Sequence, residues 1–128
     1  MKALILTSLV ICISFVSAFA AGAKDEEKYV AAIEQLGGKV ERGQGKFADR
    51  VVKVDLRGTR VSDGDLLNLF RLKQLQHVDL SGTSVGDPGT QYLGFLKKLR
   101  SLDLSGINLS DAGFERLRNL KNLETLVV

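Results

Sequence analysis

The chain has 128 residues, of which 26% are charged, with 18 basic against 15 acidic side chains, one cysteine and one histidine. A net charge of only +3 argues against strong steering toward nucleic acid or a membrane surface. A single His and a single Cys exclude a zinc centre built from those residues, and no cofactor is expected.

Met1-Lys2 opens an apolar run from Ala3 to Phe19, broken only by Thr7, Ser8, Cys12, Ser14 and Ser17, and small residues Ala20-Ala-Gly-Ala23 follow. A positive start, an apolar middle and a small-residue exit read as a secretory signal over 1–23, and both Ala18-Phe-Ala20 and Ala21-Gly-Ala23 fit the cleavage pattern. An uncleaved anchor needs about 20 apolar residues, and the Ser and Thr content speaks against one. Ile11 before Cys12 stands where a lipoprotein signal wants a small residue. The expected destination is secreted or periplasmic (cell envelope), with no stable membrane insertion after cleavage. Removing the signal takes away Lys2 and leaves 17 basic against 15 acidic residues and no cysteine. No disulfide can form, so stability must come from burial.

Residues 24–50 read as an N-terminal cap. Acids at Asp25, Glu26 and Glu27 open a helix over 25–36 with Tyr29, Ile33 and Leu36 on one face, and Gly37-Gly38 closes it. A short strand candidate, Lys39-Val-Glu-Arg42, and a loop, Gly43-Gln-Gly-Lys-Phe47, come next. The loop lacks the second Gly-Lys followed by Ser or Thr that a phosphate loop requires. Lys39, Arg42, Lys46 and Arg50 are interrupted by Glu41 and Asp49, which suits a solvated surface better than a polyanion site.

From Val51 onward the sequence repeats. Val51-Val-Lys-Val-Asp-Leu-Arg-Gly-Thr59, Leu75-Gln-His-Val-Asp-Leu-Ser-Gly-Thr83 and Leu99-Arg-Ser-Leu-Asp-Leu-Ser-Gly-Ile107 follow one another at 24-residue spacing, and Leu123-Glu-Thr-Leu-Val-Val128 starts the frame again. The repeats run 51–74, 75–98 and 99–122, with a partial 123–128. Several columns are apolar throughout: Val54, Val78 and Leu102; Leu56, Leu80 and Leu104; Leu69, Leu93 and Leu117; Leu72, Leu96 and Leu120. The first part of each repeat alternates apolar and polar, the period of a strand with one buried face. Gly58, Gly82 and Gly106 then turn the chain. Ser62-Asp63, Gly86-Asp87-Pro88 and Ser110-Asp111 look like helix starts, each able to cap its own helix. Arg71, Lys73, Lys97, Lys98, Arg100, Arg118 and Lys121 fall near the expected helix C-termini, where the dipole favours cations. The columns predict parallel strands near 52–56, 77–80, 101–104 and 124–127, with helices near 63–72, 87–97 and 111–120.

These repeats resemble the leucine-rich repeat family in its secreted bacterial style, L-x-x-L-D-L-S-G-T-x-V-x-D-x-G, over 51–128. The resemblance implies an α/β fold, a short right-handed solenoid with a parallel sheet on its concave face and helices on its convex face. It also implies a binding module that is not an enzyme and that meets a protein, peptide or glycan on the strand face. One column departs from the pattern: Thr59 and Thr83 are followed by Ile107, so the third turn should be tied differently.

The residues expected to line that face are Lys53, Asp55, Arg57, His77, Asp79, Ser81, Ser101, Asp103 and Ser105. His77, Asp79 and Ser81 place the residue types of a hydrolytic triad on one strand, but neighbours two apart sit about 6.6 Å apart at the backbone, too far for the required hydrogen bonds. Asp55, Asp79 and Asp103 should form a ladder about 4.8 Å apart, with mutual repulsion raising the pKa of Asp79 most unless His77, Lys53 or Arg57 compensates. Such a ladder suits a ligand's cationic group or a hard cation such as calcium. A second reading makes the chain an assembly piece, or part of a longer repeat protein. Leu123–Val128 supplies a fourth strand without its helix, which leaves an apolar edge open to self-association.

Overall fold

A computed structural model describes residues 24–128, and the signal segment expected over 1–23 lies outside them. The chain runs α1 (Lys24–Gln35), β1 (Lys39–Arg42), a 3-10 turn (Gly45–Phe47), β2 (Val51–Asp55), α2 (Leu66–Phe70), β3 (His77–Asp79), α3 (Asp87–Leu93), β4 (Ser101–Asp103), α4 (Asp111–Leu117) and β5 (Thr125–Val127). The strands form one sheet in the order β1-β2-β3-β4-β5. β1 is antiparallel to β2, and every later pair is parallel. Strand and helix therefore alternate as repeat-like βα units, and Val54, Val78 and Leu102 are adjacent in the sheet as the columns predict.

The apolar columns build the core between the sheet and the helices. Leu56, Leu80 and Leu104 are buried, as are Leu69, Leu93 and Leu117 from the helices and Leu72, Leu96 and Leu120 beyond them. Helices of five to seven residues are too short to persist on their own. Their stability comes from this packing, at about 1.5–3 kcal/mol for each large apolar side chain taken fully out of water.

These helices are shorter than the sequence suggests. α2 is preceded by successive i→i+3 bonds from Asp65, Leu66, Leu67 and Asn68, and α3 gives way to similar turns at Leu96 and Leu99. Leu96 and Leu99 must both face the core although they are three residues apart, and a path of three residues per turn, on which i and i+3 eclipse, points them the same way. The basic residues consequently divide: Arg71 and Arg118 sit at the C-caps of α2 and α4, as expected, while others lie past the helix ends. Neither α2 nor α3 carries one in its last turn, but Lys97 Nζ reaches back to the carbonyl of Gly94, the C-cap of α3, at 3.4 Å, while Lys98 and Arg100 lie beyond the reach of a dipole that fades within a turn.

The helix caps also differ from expectation. Asp65, Gly86 and Ser110 occupy the N-cap positions and none of them makes a side-chain capping bond. The neighbouring aspartates reach forward into the next unit instead. Asp63 Oδ1 accepts the amides of Gly86 at 2.7 Å and Gly89 at 3.0 Å. Asp87 accepts the Ser110 amide at 2.9 Å and the Ser110 hydroxyl as well. The glycine of the D-x-G pattern follows from this reach. A Cβ on Gly89 would stand 2.5 Å from Asp63 Oδ1, and one on Gly113 would overlap Asp87 Oδ1. In the first unit the same column holds Asp65, which no earlier carboxylate crowds and which accepts from Ser62 at 2.9 Å and 2.8 Å.

The strand-to-helix turns use Gly58, Gly82 and Gly106 at φ of 65°, 65° and 72°, a left-handed conformation open to glycine. Thr59 and Thr83 each donate a hydroxyl bond of 2.7 Å to the carbonyl three residues back. The third turn keeps only the backbone bond, Ile107 N to Leu104 O at 3.1 Å, while Ile107 packs against the core.

At the N-terminal side, α1 buries Val30 and Ile33, and Gly37 at φ 90° closes it. β1 lies along the edge of β2, so that strand is not left open. Glu26, placed by the sequence among the acids of the helix start, is buried and accepts the Val51 amide at 3.2 Å beside Arg50 at 3.4 Å. Among the described residues no helix is long and apolar enough to cross a membrane.

Candidate functional site

Alternation along the parallel strands turns every second side chain away from the core, and the register stacks those side chains in rows. Lys53, His77, Ser101 and Thr125 form one row, and Asp55, Asp79, Asp103 and Val127 form the next. They bound a shallow groove of about 610 Å³. Lys53, Asp55, Arg57, His77, Asp79, Ser101 and Asp103 line it. Ser81 and Ser105 do not. Their hydroxyls donate to Asp79 Oδ1 and Asp103 Oδ1, each at 2.6 Å, and their amides donate to the same oxygens at 2.9 Å.

The rim also holds residues that the repeat frame does not contain. Glu41, Arg42, Gly43 and Gln44 close the groove on the β1 side, while Val127, from the partial repeat, borders it on the other. Glu41 sits across from Lys53 in the antiparallel pair and binds its amine at 2.8 Å. The polar alternation in Lys39-Val-Glu-Arg42 carried that signal, but the direction of pairing was needed to use it.

Charge is graded across this face. Arg57 bridges two carboxylates, with 2.8 Å from its guanidinium to Asp55 Oδ2 and 3.7 Å to Asp79 Oδ2. The hydrogen bond to Asp55 holds the Arg57 pKa up, and Glu41 does the same for Lys53. Repulsion along the ladder does not govern its ends. The Arg57 amide, followed by the Arg57 side chain, holds the Asp55 carboxyl below the ordinary carboxylate value. The Ser105 hydroxyl and amide do the same for Asp103. Asp103 Oδ2 accepts no hydrogen bond among the described residues, and the next residue in its row is the apolar Val127.

The triad types do not assemble as a triad. The Ser81 proton is directed at Asp79, and Ser105 with Asp103 repeats that geometry one strand on, so the arrangement is a turn device of the repeat. Among the described residues no three His, Cys, Asp or Glu side chains converge as metal ligands. No protein-family model matches the chain, and no curated protein matches it.

Proposed function

We propose that the chain is a secreted or envelope leucine-rich repeat protein, a short right-handed solenoid whose concave strand face binds a protein, peptide or glycan and performs no catalysis. The observation that carries this reading is the graded face itself. Asp55, Asp79 and Asp103 lie in register in an open groove, neutralised by Arg57 at one end and bordered by Val127 at the other. A ligand with one cationic group for Asp103 and an apolar group for Val127 fits that order of chemistry. The face has no aromatic anchor, which points to modest affinity. Capture of partners from the native envelope by the wild-type protein, beside His77→Ala and Asp103→Lys, tests it. A partner held by the wild type and released by both variants supports the strand face. A partner held equally by all three sinks the reading.

A second reading makes the chain an assembly piece. β5 exposes Leu126 and Val127 at 42% each, with Val128 after it at 71%, and no strand flanks it among the described residues. Edges of that kind recruit further strands. Light scattering across a wide concentration range should show association of the wild type and its loss in Val127→Lys. Two equally monomeric proteins would remove this reading.

A further inference from the structure

The small net charge of the chain hides a separation of charge. The three connections that lead from helix back to strand, residues 70–76, 94–100 and 118–124, hold seven cations and one acid, Glu124. That acid lies 3.8 Å from Arg100, and Arg118 pairs with Glu115 at 2.7 Å. Arg71, Lys73, Lys97, Lys98 and Lys121 have no acidic partner within 4.0 Å among the described residues. The helix ends account for two of them, Arg71 at the C-cap of α2 and Lys97, whose Nζ donates to the Gly94 carbonyl at the C-cap of α3 at 3.4 Å, whereas Lys73, Lys98 and Lys121 lie past those ends. The connections are stacked side by side: Lys98 donates to Gln74 at 2.8 Å, and Asn122 donates to the Lys97 carbonyl at 2.6 Å.

An aromatic pair lies within this basic edge. Phe70 and Phe95 meet edge to face with centroids 5.6 Å apart, and Phe95 is 53% exposed. Lys73 Nζ stands 4.4 Å from the centre of the Phe70 ring, and the Arg71 guanidinium 5.7 Å. Between the rings and the lysines opens a cavity of about 230 Å³, floored by Leu72, Leu75 and Leu96. An aromatic-lined apolar cavity with an unbalanced cationic rim marks an interaction surface.

We infer that this edge docks an acidic peptide segment bearing a large apolar side chain. The apolar group fills the cavity against Phe95, and flanking carboxylates meet Lys73, Lys97 and Lys98. A nucleic acid is a poorer fit because a stacking groove uses successive aromatic faces, whereas Lys73 and Arg71 already lie over the Phe70 ring and leave Phe95 alone in the patch. A membrane is a poorer fit because the apolar floor is recessed between side chains instead of projecting from them.

The test uses the purified protein and fluorescence anisotropy with two labelled twelve-residue peptides, one alternating Glu and Phe and the other all Glu. The Glu/Phe peptide should bind at least about tenfold more tightly, and its affinity should fall as salt is raised. Phe95→Ala should reduce it to the level of the all-Glu peptide. Lys73→Glu with Lys97→Glu and Lys98→Glu should weaken both peptides by about tenfold or more. Lys28→Glu with Lys46→Glu and Arg60→Glu, three exposed cations outside these connections, should stay within about twofold of wild type. Equal binding of the two peptides overturns the proposal without reference to any variant. It is equally overturned if oligothymidylate or phosphatidylglycerol vesicles bind more tightly than the Glu/Phe peptide, or if the triple edge variant, folded by circular dichroism, binds as wild type does.

Discussion

Gly113 and Asp87 illustrate how one residue's identity is set by another in the unit before it. A methyl group on Gly113 would overlap the Asp87 carboxylate, while Gly113 itself is not in a left-handed conformation, so space alone excludes the side chain. Gly113→Ala should cost about 1–3 kcal/mol. The same change in an Asp87→Ala background should cost less by at least about 0.5 kcal/mol, and a double-mutant cycle in urea that showed strict additivity would contradict this. Asp103 makes the complementary prediction in pH. Its folded-state pKa lies below the unfolded value, so its contribution to stability is full above about pH 4 and is lost as pH falls through the depressed folded value. Asp103→Asn should therefore be less stable than wild type by about 1 kcal/mol near neutrality. The gap should close in more acidic solution, and a gap independent of pH would rule the linkage out. The aspartates of the D-x-G pattern were readable as structural, but not where they point. A column tells which residues are equivalent and leaves open whether a carboxylate serves its own helix or the next.

The elements were legible to the degree that periodicity alone defines them. Two-residue alternation at fixed spacing set β2 to β5 in register, because a slip of one residue would turn every apolar side chain to solvent. Helix length was less accessible, since Leu93 and Leu96 read as one helix over 87–97 although the chain leaves that path after α3. The segment before the repeats has no internal comparison, so the antiparallel docking of β1 and the burial of Glu26 had no signal in the columns. Glu26 joins α1 to the start of β2 through the Val51 amide and Arg50. Glu26→Ala should cost about 1–3 kcal/mol by taking an acceptor from a buried amide. A melting midpoint equal to wild type would show that α1 is held by Val30 and Ile33 alone.

Across the whole molecule, the forward reach of the aspartates gives the units a direction. Asp63 serves the second unit and Asp87 the third, while Asp111, in the same column, has no such partner among the described residues. Association between copies is expected at β5, whose exposed side chains are apolar, and not at β1, whose exposed side chains Lys39, Glu41 and Arg42 are charged. The same ordering has a consequence in time. Leu56, Leu80 and Leu104 donate equivalent amide bonds, each to the strand that follows, at 2.9, 2.9 and 2.8 Å. Only the last of these rests on β5, which no further strand flanks among the described residues. Opening that begins at β5 frees Leu104 first, then Leu80, and Leu56 only when β2 loses its neighbour. Amide exchange should rank the three in that order, with Leu104 fastest, and the molecule would then lose protection as a zip does, from one end, despite bonds of equal length.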